Sequence, residues 1–434
     1  MKRYKTNFML FLFYLLLALF CNQHVLSARQ AAAVDSLERL LLTKLPVLDH
    51  VDVLNELAWE AKRINPDRAF QAAEEALNVS KSLYDLERIS TSLNRMGEVL
   101  RLRDRYKEAV LCFEEALEIE KAIDYQYGIA RALGQLTLLY TNLGKYDSAI
   151  HTGQEGLKIY QELDLPHKVA RSHQRLATAF ESKWQLDSAA EQLHLKLKVQ
   201  ERFNDHIVEA NTFISLGTIY RKLKSYDRSL DYLMKAYQNL VSVNHLEKLA
   251  NVTNSIGNTY KSMGDLSRAE KYYEESLHFF NKMVEPTGAF RLHINMGTIS
   301  QRLGKYDKAI LQYKDGLIVA KEISEKSDIT LATMNIGKAF LQSGEPDSAQ
   351  FWFAKLQNDS TLTTAEALDL SRNLAAVAKE NNQPELYNKY LAKHLHLRDS
   401  LDRILAEASR VKDNLEESRK QAALFQKDLE KAQT

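Results

Sequence analysis

Arginine and asparagine recur in this chain at one interval. Arg131, Arg171, Asn211, Asn251 and Arg291 stand forty residues apart, and four residues after each come Gln135, Arg175, Ser215, Ser255 and Asn295. Arg171 and Arg175 are spaced i,i+4, so on a helix both guanidinium groups reach the same patch. Arginine grips a carboxylate through two parallel N–H···O bonds, and an asparagine amide can pair with a peptide backbone. Bond-making chemistry has no such footing. The chain contains no GxGxxG, P-loop, HExxH or CxxC pattern, and its 12 histidines share no repeat phase or common helix face. His394 and His396, two apart on a helix, point to opposite sides and make a poor metal pair. The expectation is a non-enzymatic protein without metal or cofactor.

The interval is the chain's own period. Glycine recurs at Gly97, Gly217, Gly257, Gly297 and Gly337. A small residue recurs at Ala69, Ala109, Ala149, Ala189, Ser229, Ala269, Ala309 and Ala349 without a slip. Such self-similarity means stacked units, each burying its apolar face against the next. Every unit reads as two helices of roughly sixteen residues, ~24 Å long; in the third they run near Tyr127–Asn142 and Tyr146–Leu163.

Hairpin turns are marked by Leu143-Gly144, Met263-Gly264, Leu303-Gly304 and Ser343-Gly344, where glycine can supply a left-handed residue after the helix. Asp104, Trp184 and Lys224 hold the same phase and must cap differently or carry strain. Asp124, Asp164, Asn204 and Asn244 break the chain between units, and Pro66, Pro346 and Pro384 stand at helix starts. Gly257 and Ala269 predict a close helix approach, with Tyr260 and Tyr273 filling the space beside it. Most of the 20 tyrosines, Trp59 and Trp352 are expected in the core.

These residues carry a resemblance to the tetratricopeptide repeat family. Its pattern of Leu-Gly-x-x-Tyr followed by Ala-x-x-x-Phe is matched by Leu216-Gly217 with Tyr220, Ile256-Gly257 with Tyr260, and Ala109 with Phe113. Leu93, Leu133, Phe213 and His293 take the place of the family's leading tryptophan, and the period is the longer, forty-residue one. The resemblance covers roughly residues 47–392, about nine helical hairpins. It implies an all-α fold, a right-handed superhelical solenoid of stacked antiparallel helix pairs whose first helices line a concave groove. On that reading Arg131, Arg171, Arg175, Asn211, Asn251, Asn254, Arg291 and Asn295 are the candidate peptide-binding residues. Arg171 and Arg175 look like the carboxylate clamp of some members, so the implied ligand is a protein or peptide, acidic or presenting its C-terminal carboxylate.

Both ends of the chain add expectations. Lys2, Arg3 and Lys5 precede an unbroken apolar run from Phe8 to Phe20, with Ser27 and Ala28 just beyond. This reads as a signal peptide over residues 1–27 and an exported, periplasmic protein with no membrane span in the mature chain; an uncleaved N-terminal anchor is the alternative. Cys21 suggests lipid attachment, but Phe20 is too bulky before such a site. Residues 28–46, with one amphipathic helix over 31–45, form the N-terminal cap. Without residues 1–27, Cys112 is the one cysteine left, so no internal disulfide contributes. Lys+Arg 58 against Asp+Glu 57 leaves no global basic signal for nucleic acid.

From residue 393 to 434 apolar positions fall in heptads: Leu397, Leu401, Ile404, Ala408, Val411, Leu415, Ser418, Ala422, Phe425 and Leu429. That spacing predicts a coiled-coil helix through which the chain forms a homodimer, or a long helix lying back on the array. Array plus coiled coil resembles the extracytoplasmic sensor half of Bacteroidetes histidine kinases and regulators. It implies a sensor subunit whose membrane and output domains are on another chain or missing.

Overall fold

The computed structural model describes residues 30–283 and 287–404, together with 406, 407 and 410. The leader-like residues 1–27 and the heptad positions beyond Ile404 lie outside the described residues. The described chain is helical almost throughout: α1 (30–41), α2 (Val47–Ala61), α3 (Pro66–Ser82), α4 (Leu86–Leu102), α5 (Tyr106–Ala122), α6 (Gln126–Asn142), α7 (Tyr146–Glu162), α8 (Pro166–Ser182), α9 (Leu186–Gln200), α10 (His206–Lys222), α11 (Tyr226–Ser242), α12 (Leu246–Met263), α13 (Leu266–Asn281), α14 (Thr287–Arg302), α15 (Tyr306–Glu322), α16 (Lys326–Gln342), α17 (Pro346–Ala354), α18 (Thr364–Glu380) and α19, from 384 to at least 404.

Two units divide it. In the first, up to Asn239, α2 packs on α3, α4 on α5, α6 on α7 and α8 on α9, and each pair stacks on the next. In the second, from Leu240, the same holds for α12 with α13, α14 with α15 and α16 with α17. The fold is an all-α solenoid of adjacent helix pairs.

A glycine and a bulky side chain sixteen residues later lock each standard hairpin. A Cβ on Gly257 would meet the Tyr273 ring at 2.6 Å, and one on Gly97 would meet the Phe113 ring at 2.7 Å. Gly217 stands likewise against Leu233, Gly297 against Tyr313 and Gly337 against Phe353. Tyr273, Tyr313, Phe113 and Phe353 are among the largest fully buried side chains, so the glycine gives the ring its place and the ring fills the layer. The third hairpin departs from this. Thr137 stands at the glycine's phase and Gly153 at the ring's, and the space over Gly153 is filled by Leu176 of the following hairpin, 2.7 Å from where a Cβ would be.

The turns resolve the question of capping. Gly144, Gly264, Gly304 and Gly344 are left-handed, with φ of 72°, 86°, 71° and 82°. Asp104, Trp184 and Lys224 take the same conformation at 58°, 62° and 59°, so they use the same cap and bear the strain of a Cβ there. Asp124, Asp164, Asn204 and Asn244 are left-handed as well, and Pro66 and Pro346 open their helices at the first position.

Two expectations need correction. The first helix ends at 41 instead of 45: Leu42 and Thr43 close a tighter turn on Arg39 and Leu40, ahead of Pro46, which disfavours helix in the residue before it. Trp59 is 39% exposed, and Tyr84 and Tyr125 are exposed too, so these rings are not core filler.

Candidate functional site

A cavity of about 270 Å³ opens among α2, α4, α6 and α8 of the first unit. Its walls carry Arg95, Arg131, Lys168, Arg171 and Arg175, against Glu98 as the carboxylate of the lining. Helical spacing delivers them: Arg171 and Arg175 lie one turn apart on α8, and Arg131 and Gln135 occupy the same two positions on α6. A neighbouring recess of about 470 Å³ shares Trp59, Glu98, Gln135, Arg171 and Arg175 and adds Lys62, Arg63 and Arg101 together with Glu60.

The internal anions are engaged in part; the buried Oε2 of Glu120, like Oδ1 of Asn94, has no hydrogen-bond partner. Glu120, wholly buried at the end of α5, accepts hydrogen bonds on Oε1 from Ser90 Oγ (3.1 Å), Asn94 Nδ2 (3.0 Å) and an Arg131 terminal nitrogen (3.0 Å). Glu98 pairs with Arg101 at 3.0 Å and accepts from Gln135 Nε2. The cations are left in excess. Arg175 donates to Gln135 Oε1 at 3.5 Å and forms no ion pair among the described residues. The buried Nε of Arg95, of Arg101 and of Arg131 has no hydrogen-bond partner.

Burial lowers the pKa of Arg175, with the like charge of Arg171 adding to it; burial also lowers that of Arg95. Unpaired buried donors of this kind cost stability, roughly 1–3 kcal/mol each and more when charged.

Aromatic rings complete the walls. Arg95 stacks 4.6 Å from the centre of Trp59, and the Lys62 ammonium lies over the same ring. Burial brings Lys62 down to about 8, with Glu98 acting in the opposite sense. Tyr127 and Tyr160 meet edge to face at 6.1 Å; burial first, then Tyr127, pushes the Tyr160 phenol up to about 12. Lys168 sits 5.5 Å over Tyr127. The arrangement can hold a planar anion between guanidinium groups and apolar faces.

Of the eight candidate residues, the structure brings Arg131, Arg171 and Arg175 to one cavity. Asn211 belongs to the first unit, half-buried on α10, and does not line that cavity. Asn251, Asn254, Arg291 and Asn295 belong to the second unit. There Asn251 and Arg291 are exposed, Asn254 accepts from Asn258 Nδ2 at 3.5 Å, and Asn295 Oδ1 accepts from Lys261 Nζ at 2.9 Å. Sequence reasoning missed Arg95, Lys62 and Lys168. Arg95 was within reach: it stands forty residues before Gln135 and eighty before Arg175, in one phase. Lys62 and Lys168 lie outside that phase.

Comparison with known proteins agrees with the architecture. Residues 87–162 match the tetratricopeptide repeat family model, and residues 167–344 match that of the soluble NSF attachment proteins. Among solved structures, the apo form of RapI is 15% identical with a TM-score of 0.56, the match covering 81% of this chain and 98% of that one. The apo quorum sensor NprR from B. thuringiensis is 15% identical with a TM-score of 0.51, covering 74% of this chain and 90% of NprR. A signal transduction ATPase with numerous domains and a tetratricopeptide repeat sensor, from Pyrococcus horikoshii, is 14% identical with a TM-score of 0.51, over 78% and 55%. At these identities the likeness is one of fold. No curated protein sequence matches the chain.

Proposed function

We propose that this chain, a helical repeat protein of the tetratricopeptide type, is a non-enzymatic scaffold that holds a partner protein or peptide by a carboxylate in the cavity of its first unit. The observation that carries the reading is Arg175: a guanidinium largely withdrawn from water, next to Arg171, with one long hydrogen bond and no ion pair among the described residues; the charge of Glu98, which pairs with Arg101, acts on it without forming one. A buried charge left without a partner is costly, and a ligand carboxylate is the group whose geometry matches its paired N–H donors.

The test is a titration of the full chain with a labelled octapeptide of glycine and serine, bearing either a free or an amidated C-terminus. Amidation, and an Arg171→Ala/Arg175→Ala double substitution, should each weaken binding about tenfold or more, the loss of charge-assisted hydrogen bonds. Equal affinity of all four combinations would sink the reading.

Two further parts of the proposal rest on sequence. The basic residues and apolar run at the start of the chain support export, and no helix of the described residues is long and apolar enough to cross a membrane. The heptads of residues 393–434 support pairing of two chains, with Leu397 and Leu401 half-buried on α19. Mass in solution with and without residues 393–434 tests this; a monomer in both cases removes it.

A further inference from the structure

A second cavity, of about 320 Å³, lies on the other side of Arg171, between α8, the end of α9 and the start of α10. Two of its polar residues bring donors held out of water. Lys196 is 8% exposed and Gln200 1% exposed. The Lys196 ammonium donates to Gln174 Oε1 at 2.6 Å, which uses one of its three protons, and it has no ion pair among the described residues. Gln200 Oε1 accepts from the Thr212 hydroxyl at 2.8 Å, and the Nε2 of the same amide has no partner.

The one carboxylate of the lining, the exposed Asp205, caps α10 through Oδ1, which accepts from the backbone N–H of Ile207 and Val208 at 3.0 Å each. Phe203 and His167 stack at 3.9 Å and 13° to form a flat wall. The site is thus a buried cation, a free amide donor and an apolar face, and Lys196 forms no ion pair with the one carboxylate of the lining.

We propose that this cavity is a second anion subsite, which takes an acidic side chain of the same peptide whose terminal carboxylate lies at Arg175. The inference rests on the carboxylate-binding reading above and adds a second contact to it. Arg171 lines both cavities, so a ligand leaving the first meets the second without crossing unrelated surface. The aliphatic stem of a glutamate suits the Phe203–His167 wall, and its carboxylate reaches the Lys196 ammonium and the Gln200 amide.

The experiment uses the same labelled glycine–serine octapeptide with a free C-terminus, now carrying one glutamate placed one to six residues before the end. At one spacing the glutamate should tighten binding to the full chain about tenfold, the worth of a charge-assisted contact. Lys196→Met should erase that gain while leaving the glutamate-free peptide unchanged, and Lys196→Gln, which keeps a donor without the charge, should recover only a fraction of it. No gain at any spacing, or a gain that survives in Lys196→Met, overturns the subsite. Failure of the underlying reading looks different: the glutamate-free peptide then binds Arg175→Met as well as the unaltered chain.

Discussion

A terminal guanidinium nitrogen of Arg175 occupies the space over Gly134 where any other residue would place its Cβ. Gly134 is out of phase with the glycines that lock the hairpins; the corresponding positions elsewhere are Asn94, Gln174, Ile214 and Asn254. Repeat packing therefore does not call for it, whereas the seat of Arg175 does. The obstructed group is the far end of a flexible side chain, so Gly134→Ala should move Arg175 and leave the helices in place. Unfolding by urea should shift by less than about 1 kcal/mol, the size of the helix-propensity gain. Affinity for a free-carboxylate peptide should fall severalfold. Unchanged binding would mean that the position of Arg175 is immaterial to the ligand.

Glu120 sets stability against binding. Glu120→Gln keeps the side-chain shape and removes the counter-charge of Arg131. Breaking a fully buried pair costs about 3–5 kcal/mol, and because the Arg131 side chain is one-third exposed the expected loss is nearer 2 kcal/mol. Arg131 then adds an uncompensated charge to the cavity, so the same variant should bind a carboxylate peptide more tightly. A variant that is both weaker in folding and weaker in binding would contradict this division.

Lys224 carries a turn that glycine carries elsewhere. At φ 59° its Cβ costs about 1–2 kcal/mol, of which the greater freedom of an unfolded glycine returns about half. Lys224→Gly should therefore stabilise by about 0.5–1 kcal/mol in urea unfolding. The mirror change, Gly144→Ala at φ 72° with open space around it, should destabilise by a similar amount.

Lys196 gives the fold a pH dependence of definite sign. Burial lowers its folded value from 10.5 to about 8. Between those values the unfolded chain binds the extra proton, so stability rises with pH across the window. Below about 8 both states are charged, and the full burden of the buried ammonium is present. Lys196→Met removes that burden, so its stability advantage over the unaltered chain should be largest at neutral pH and shrink toward pH 10.5. His167, Arg171 and Asp205, the other charged or titratable groups of that cavity, are common to both proteins. Melting curves across this range check it; a gap that widens would reverse the assignment.

The fold was legible because its determinants are local and periodic. Gly257 and Tyr273, or Gly144 at its turn, report one unit's geometry and recur at forty residues. The site was half legible for the same reason. Arg131, Arg171 and Arg175 share a phase rule, and so does Arg95. Trp59 defeated the rule, since aromatic character is the same signal in a core and on a cavity wall. Lys196 and Gln200 defeated it differently. They are polar residues on a second helix, and only the packing of α8 and α10 around them shows that they are buried, Lys196 without an ion pair among the described residues and Gln200 with a partnerless Nε2. Phase also grouped Asn251 and Arg291 with Arg131, although they belong to the second unit.

The third hairpin's borrowed filling has a bearing on how the array comes apart. A stacked repeat protein unfolds along its length according to how each unit's own stability compares with its grip on the next. Where Gly97 meets Phe113 or Gly257 meets Tyr273, the filling belongs to the hairpin itself, and such a hairpin keeps its layer when a neighbour frays. Where Leu176 fills the space over Gly153, one hairpin keeps its layer only while the next is folded. The third and fourth hairpins are thus bound into a single cooperative block, and their amide protons should exchange with one common opening energy. Arg131 lies on one side of that block and Arg171 and Arg175 on the other, so the cavity between them lasts as long as the block does.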